Sequence, residues 1–234
     1  MINAKRGLRV LRLAMLTTLG VMAFVAAGAQ AQLPGESKAG TFTINLGAAL
    51  LATLTGHQER AGKLLVAGRN LDINCNAAEV LEGKINSSTE ALVGILFLEC
   101  TALEHNTNNP LTGCNIIEPV SGLKGAIRAL GKFLPILHGV NTYVLAEPEE
   151  IGGNLAVVTF ESGKGCVLPL SNPVKGSVTT QVISGLEGSE PLLTFSQAIQ
   201  ELTGDKLLFG TFPAFMNSSF VVKLTGNHIK LGIH

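Results

Sequence analysis

The chain has 234 residues, 46% of them hydrophobic and 15% charged, with 27 glycines, no tryptophan and one tyrosine. Its formal net charge is zero, but Lys5, Arg6, Arg9 and Arg12 crowd the first 12 positions, so 17 − 4 leaves 13 bases against 17 acids, about −4, beyond them. That balance gives no electrostatic footing for nucleic acid or an anionic membrane surface, and low charge with abundant glycine favours short strands and tight turns over a helical bundle.

In chain order, residues 1–31 read as a secretory signal peptide. Four positive charges precede the uncharged run Leu13 to Ala29, and Ala29-Gln30-Ala31 places small residues where a signal peptidase needs them, so cleavage is expected before Gln32. The run is at the lower limit for spanning a bilayer, and no cysteine follows that would mark a lipoprotein. An exported product, secreted or held in the cell envelope, is the expectation. Residues 32–40 read as a flexible lead-in, and residues 41–234 as a single β-rich domain with no further membrane span. A transmembrane barrel is disfavoured because the aromatic girdles of such barrels are missing from the sequence.

Within that domain, Thr41 to Leu46 alternates as a first strand. Leu64 to Ala67, Leu71 to Cys75, Ala91 to Glu99, Thr142 to Ala146, Leu155 to Phe160, Gly176 to Ser184 and Leu192 to Phe195 continue the series. Ala91 to Glu99 is apolar on both faces, as a strand inside a sandwich would be. Gly152-Gly153, Gly163-Lys164-Gly165 and Asn172-Pro173 read as turns between strands. Gly122 to Leu137 fits either a short helix ending before Pro135 or two edge strands. Phe220 to Leu224 and His228 to Ile233, flanking Thr225-Gly226-Asn227, read as a hairpin. The expected fold is all-β, a sandwich or barrel of about ten or more short strands, with no repeat.

Cys75, Cys100, Cys114 and Cys166 form an even set with no C-x-x-C knuckle, which points to two disulfides rather than zinc. Cys100 and Cys114 flank a polar loop, so the pairing favoured is Cys100–Cys114 with Cys75–Cys166.

The order of local signatures, ILFLECT, GCNIIEP, SGLKGAI, VVTFESGKGCV, NPVKGSVTTQV and LLTFSQ, resembles a group of exported β-rich proteins from soil actinobacteria. Those proteins share a Phe-x-x-Cys strand end, a Cys after the loop, a Leu-Lys-Gly step and a Gly-Ser-Val strand after the last Cys. The likeness runs from about Leu71 to Gln197, and it departs in setting Phe160 six residues before Cys166. It implies secretion and a β fold, and no activity.

Chemistry is sparse. Ser121 and Lys124 have S-x-x-K spacing, but the companion S-D-N and K-T-G motifs are absent, which leaves an exposed turn as the plainer reading. His57, His105, His138, His228 and His234 are scattered; His105 and His228 read as solvated, and His138 as a satisfied buried residue. Asp72 and Asp205 are the only aspartates. Glu147, Glu149 and Glu150 read as an acidic turn rather than a calcium site. No catalytic set, cofactor or metal site is expected. The first functional reading is an exported structural or binding protein with a cell-envelope or protein partner. A carrier of an apolar small ligand and an exported hydrolase with an unrecognised site are the alternatives.

Overall fold

Alternating apolar side chains can bury one face of a strand, and a sheet made of such strands must cover that face. In the computed structural model, which describes residues 37–44, 52–150, 153–183, 190–225 and 231–233, the sheet covers it by closing on itself. The strands are β1 (Ser37–Ala39), β2 (Phe42–Ile44), β3 (Leu54–Val66), β4 (Leu71–Ser87), β5 (Glu90–Leu103), β6 (Ile116–Ile117), β7 (Ile127–His138) and β8 (Asn141–Pro148). They continue as β9 (Ala156–Phe160), β10 (Ser171–Lys175), β11 (Val178–Ile183), β12 (Leu192–Phe195), β13 (Leu208–Phe209), β14 (Phe212–Leu224) and β15 (Leu231–Ile233), with one helix, α1 (Gln197–Thr203).

Eight strands close an antiparallel barrel in the order β3-β4-β5-β7-β8-β11-β12-β14, with β14 pairing back onto β3. All-β architecture is therefore confirmed, and of sandwich and barrel it is the barrel. Five of its strands, β7-β5-β4-β3-β14, run side by side for 12 to 17 residues each. This long wall is closed twice. Residues 131–138 of β7 pair with β8, and residues 218–221 of β14 with β12, so β8, β11 and β12 complete the barrel. Farther along, Ala129 of β7 meets β9, and residues 212–213 of β14 meet β13, so β9, β10 and β13 close a second ring on the same wall.

The core follows the period of two. Ala91, Val93 and Ile95 of β5, Phe133 of β7, Val144 and Ala146 of β8, and Leu193 and Phe195 of β12 are all buried inside. One mouth is filled by the β2–β15 pair, whose Phe42, Leu231 and Ile233 join the same core. At the other end Leu155, Val158, Val174 and Leu207, from the second closure and its flanking loops, do likewise.

Several expectations need correction. The strands are not uniformly short, because outward-facing polar residues such as Glu79, Glu82 and Lys84 interrupt the apolar pattern of β4 without ending it. Gly122 to Leu137 is neither a helix nor two strands: a turn with positive φ at Gly122 and Gly125 leads into β7, which carries Pro135 within it. Asn172-Pro173 lies inside β10 rather than in a turn. Ser37–Ala39, inside the expected lead-in, is a strand paired to the end of β7. Of the expected C-terminal hairpin, residues 226–230 lie outside the described residues; among the described ones β15 pairs with β2 and the end of β14 with β3.

All four cysteines are bridged, but as Cys75–Cys100 and Cys114–Cys166. The cause is register. The β4–β5 hairpin sets Cys75 directly opposite Cys100, with Cα atoms 4.0 Å apart, and β5 runs on to Leu103 instead of ending at Cys100. Cys114 is left to the loop after β9, and its bridge to Cys166 ties the segment entering β6 to the loop leaving β9, at one end of that pair.

Candidate functional site

The residues that first suggested chemistry are dispersed by the fold. Ser121 and Lys124 take different partners: the Ser121 hydroxyl donates to Glu118 Oε2 at 2.5 Å, and Lys124 Nζ lies 3.2 Å from Glu161 Oε1. Glu118 is 2% exposed and also accepts from the backbone N–H groups of Ser121 and Val120. Those donors, led by the Ser121 hydroxyl, hold its carboxyl below the ordinary value of 4.5, the reverse of what a general base near neutrality needs. The group caps a turn.

His57 pairs with its neighbour Glu59 at 3.0 Å on the surface. His138 is half-buried with a buried Nδ1 that has no partner among the described residues, against the expectation of a satisfied side chain. His105 is not simply solvated: its Nδ1 donates to Asp72 Oδ1 at 2.8 Å, and Asp72 is fully buried. Lys63 Nζ lies 2.7 Å from the other oxygen, an ionic contact without hydrogen-bond alignment. The cluster fastens the loop after β5 to the outside of the wall. His228, His234 and the cleavage residues Ala29, Ala31 and Gln32 lie outside the described residues. Glu147 is half-buried and its carboxyl is pushed up by desolvation, while Glu149 and Glu150 are exposed. Among the described residues no three His, Cys, Asp or Glu side chains gather as a metal site, and no helix is long and apolar enough to cross a membrane.

What the fold does build is a void. Inside the long wall, at the level where the two closures part, lies a cavity of about 110 Å³ lined by Ile73, Ile95, Ala129, Ala146, Val158 and Phe195, among others, and almost wholly apolar. A second void of about 30 Å³ sits toward the mouth filled by Phe42 and Leu231. Between them three rings pack edge to face, Phe97 on Phe220 and Phe195 on Phe220, each pair with centroids 6.0 Å apart. Such pairs add about 0.5–1.5 kcal/mol beyond burial.

The wall is irregular beside this void. Register shifts between β3 and β14 fall at Asn217, Ser219 and Phe220, and β3 is also out of register with β4 between His57 and Gly62. Outside these bulges lies an open groove of about 740 Å³, lined by Glu59, Arg60, Ser196, Asn217, Ser218 and, again, Phe195. Phe195 thus borders both voids and the groove. Gly62 lines the larger void, and a Cβ there would come 2.9 Å from Gln58 Nε2 and 3.3 Å from Ser218 Oγ, so a larger residue would displace the Gln58 amide.

Sequence reasoning missed Gln58, Phe195 and Gln200. The polar runs Gln58-Glu59-Arg60 within β3 and Asn217-Ser218-Ser219 within β14 were the available signal of a bulge. In comparisons with known proteins, no family model, curated protein or solved structure matches the chain.

Proposed function

We propose that this is an exported binding protein that carries a small apolar ligand, or the apolar part of one, inside its barrel. The observation that carries the reading is the apolar void of about 110 Å³ inside a closed eight-stranded barrel. Barrels of eight strands have interiors wide enough for packed side chains or one small ligand. An apolar cavity of about 150 Å³ stays dry and takes benzene or xenon, so this void suits something of comparable or slightly smaller bulk. Two disulfides support an oxidising destination, as do the signal-like N-terminus and the likeness to exported actinobacterial proteins.

The test is thermal unfolding with benzene present. A ligand bound only by the folded state stabilises by RT ln(1 + [L]/Kd), so benzene at ten times its Kd should add about 1.4 kcal/mol. Ala146→Leu, which fills the void from β8, should abolish that gain. A wild-type protein whose melting is unmoved by benzene, or an Ala146→Leu protein that gains as much, would sink the proposal.

A further inference from the structure

The β2–β15 pair that fills one mouth is bonded differently from everything around it. Its register pairs, Phe42↔Ile233, Thr43↔Gly232 and Ile44↔Leu231, form a sheet of their own, and among the described residues neither strand joins a ladder of the barrel. What holds the pair in the mouth is burial of Phe42, Leu231 and Ile233, each at most 8% exposed, with a backbone bond from the Phe42 N–H to Ser88 O. The chain ahead of each strand is tied to the barrel separately. Ser37–Ala39 pairs with β7 before β2, and the Thr225 N–H donates to Thr53 O before β15. The barrel thus keeps its own ladder whether the pair is in or out, and an element held by side chains alone opens before the sheet that it covers. Nor is the fit tight. The void of about 30 Å³ lies directly behind Phe42, Leu231 and Ile233, and every residue lining it is apolar. Val93, Ile95, Phe133 and Phe195 line this void and the larger one as well, so the two spaces stand in series behind the pair.

Resting on the carrier reading, we infer that β2–β15 is a displaceable plug, and that the ligand is a single unbranched hydrocarbon chain with a polar end, of the kind a fatty acid carries. The chain takes the place of Phe42, Leu231 and Ile233, runs past Phe195 toward the larger void, and leaves its polar end in water at the mouth. Two voids in series select a chain over a compact ring system, which would have to displace the barrel's own side chains to pass. The wholly apolar lining selects hydrocarbon: it replaces the contacts that the plug gives up, whereas a polar molecule offers nothing in exchange and shifts no equilibrium. In the free protein the plug side chains stand where the ligand's chain would lie.

The experiment titrates sodium dodecanoate, below its micelle threshold, into the full chain while NMR follows the plug methyls of Leu231 and Ile233 and the void-lining methyls of Ile73 and Val158. In wild type both sets should shift together. Ile233→Ser, which loosens the plug, should bind dodecanoate about tenfold more tightly, because apparent affinity rises with the fraction of molecules already open. A plug with a purely structural role would show a lower melting temperature in Ile233→Ser and no gain in affinity, which overturns the inference. 1-Adamantanecarboxylate, the same head group on a compact body, should bind at least about tenfold more weakly than dodecanoate; equal affinity would overturn the chain assignment. If dodecanoate leaves the plug methyls unmoved while benzene still shifts Ile73 and Val158, the plug is wrong and the carrier reading stands. If neither compound moves any of these methyls, the carrier reading itself fails and this inference falls with it. The wild-type shifts decide the matter even if Ile233→Ser does not fold.

Discussion

The long wall and the two short closures of this barrel are held together by different means. In the wall, β3, β4, β5, β7 and β14 run beside one another for most of their length, and ladder hydrogen bonds do the holding. The closures use strands of two to eight residues, too short for ladders alone, and buried side chains replace the missing bonds. Where β14 is unpaired between β13 and β12, Gln200 of α1 behaves as a substitute strand: its Nε2 donates to Met216 O at 2.7 Å and its Oε1 accepts from Met216 N at 3.0 Å. α1 is set in place for this by Ser196 at its N-cap and Gly204, at φ 71°, at its C-cap. Asp205 accepts from the backbone N–H and hydroxyl of Thr179 on β11, and Asn172 Nδ2 donates to Pro169 O. Of the ten buried polar residues among the described residues, six (Asn172, Ser177, Thr179, Thr180, Gln200 and Thr203) belong to the closures and their loops, and Glu118 to the turn after β6. Ser218 and Ser219 sit at the bulge. Polar burial thus concentrates in the short closures and at the irregular stretch of the wall.

The comparison can be broken most forcefully at the disulfides. Replacing Cys114 and Cys166 by Ser opens a loop of 52 positions in a closure, and replacing Cys75 and Cys100 opens one of 25 positions in the wall. Chain entropy puts these at about 4 and about 3.5 kcal/mol. The wall pair keeps its ladder when reduced, so urea denaturation should show the larger loss for the closure pair; the reverse order would contradict the division of labour. Next in size is Gln200→Ala, which strands two buried backbone groups and should lower stability by about 2–4 kcal/mol, far beyond an exposed polar substitution. Ala146→Leu should move stability the other way, by about 0.5–1 kcal/mol, by filling the void, and a calorimetric melt checks its sign.

The smallest effect is on pH. The Glu118 carboxyl is held below 4.5, so the stability it supplies is fully present above 4.5 and is lost as pH falls through its folded value. Glu118→Gln should therefore flatten the acid limb of the stability profile, with the gap to wild type narrowing as pH drops. Asp205 runs opposite. Burial raises its carboxyl above 3.8, so its share is present below that value and fades as pH rises through the folded one. Asp205→Asn should remove that fading, and parallel acid titrations of the two variants would separate them.

Strand positions were legible where alternation is clean. Leu192 to Phe195 is β12 to the residue, and Ala91 to Glu99 is the heart of β5, its two apolar faces reflecting the barrel interior and a half-buried outer surface. Oxidised cysteines could be read from their number, but not their pairing, because the β4–β5 register depends on where a hairpin turns rather than on cysteine spacing. The β2–β15 pairing joins segments almost 190 positions apart, and no local pattern announces such a contact. The void was invisible for a different reason. Ile, Val and Phe at alternate positions specify an apolar interior, yet whether that interior is filled depends on strand count and closure, which only the assembled barrel fixes.

The most direct test of the account is a crystal of the protein pressurised with xenon and examined by diffraction. A xenon atom seated among Ile95, Ala146, Val158 and Phe195, and displaced in Ala146→Leu, is the predicted result. Xenon found only in surface grooves, with the interior filled by repacked side chains, would contradict the claim that this barrel is built around a space for a guest.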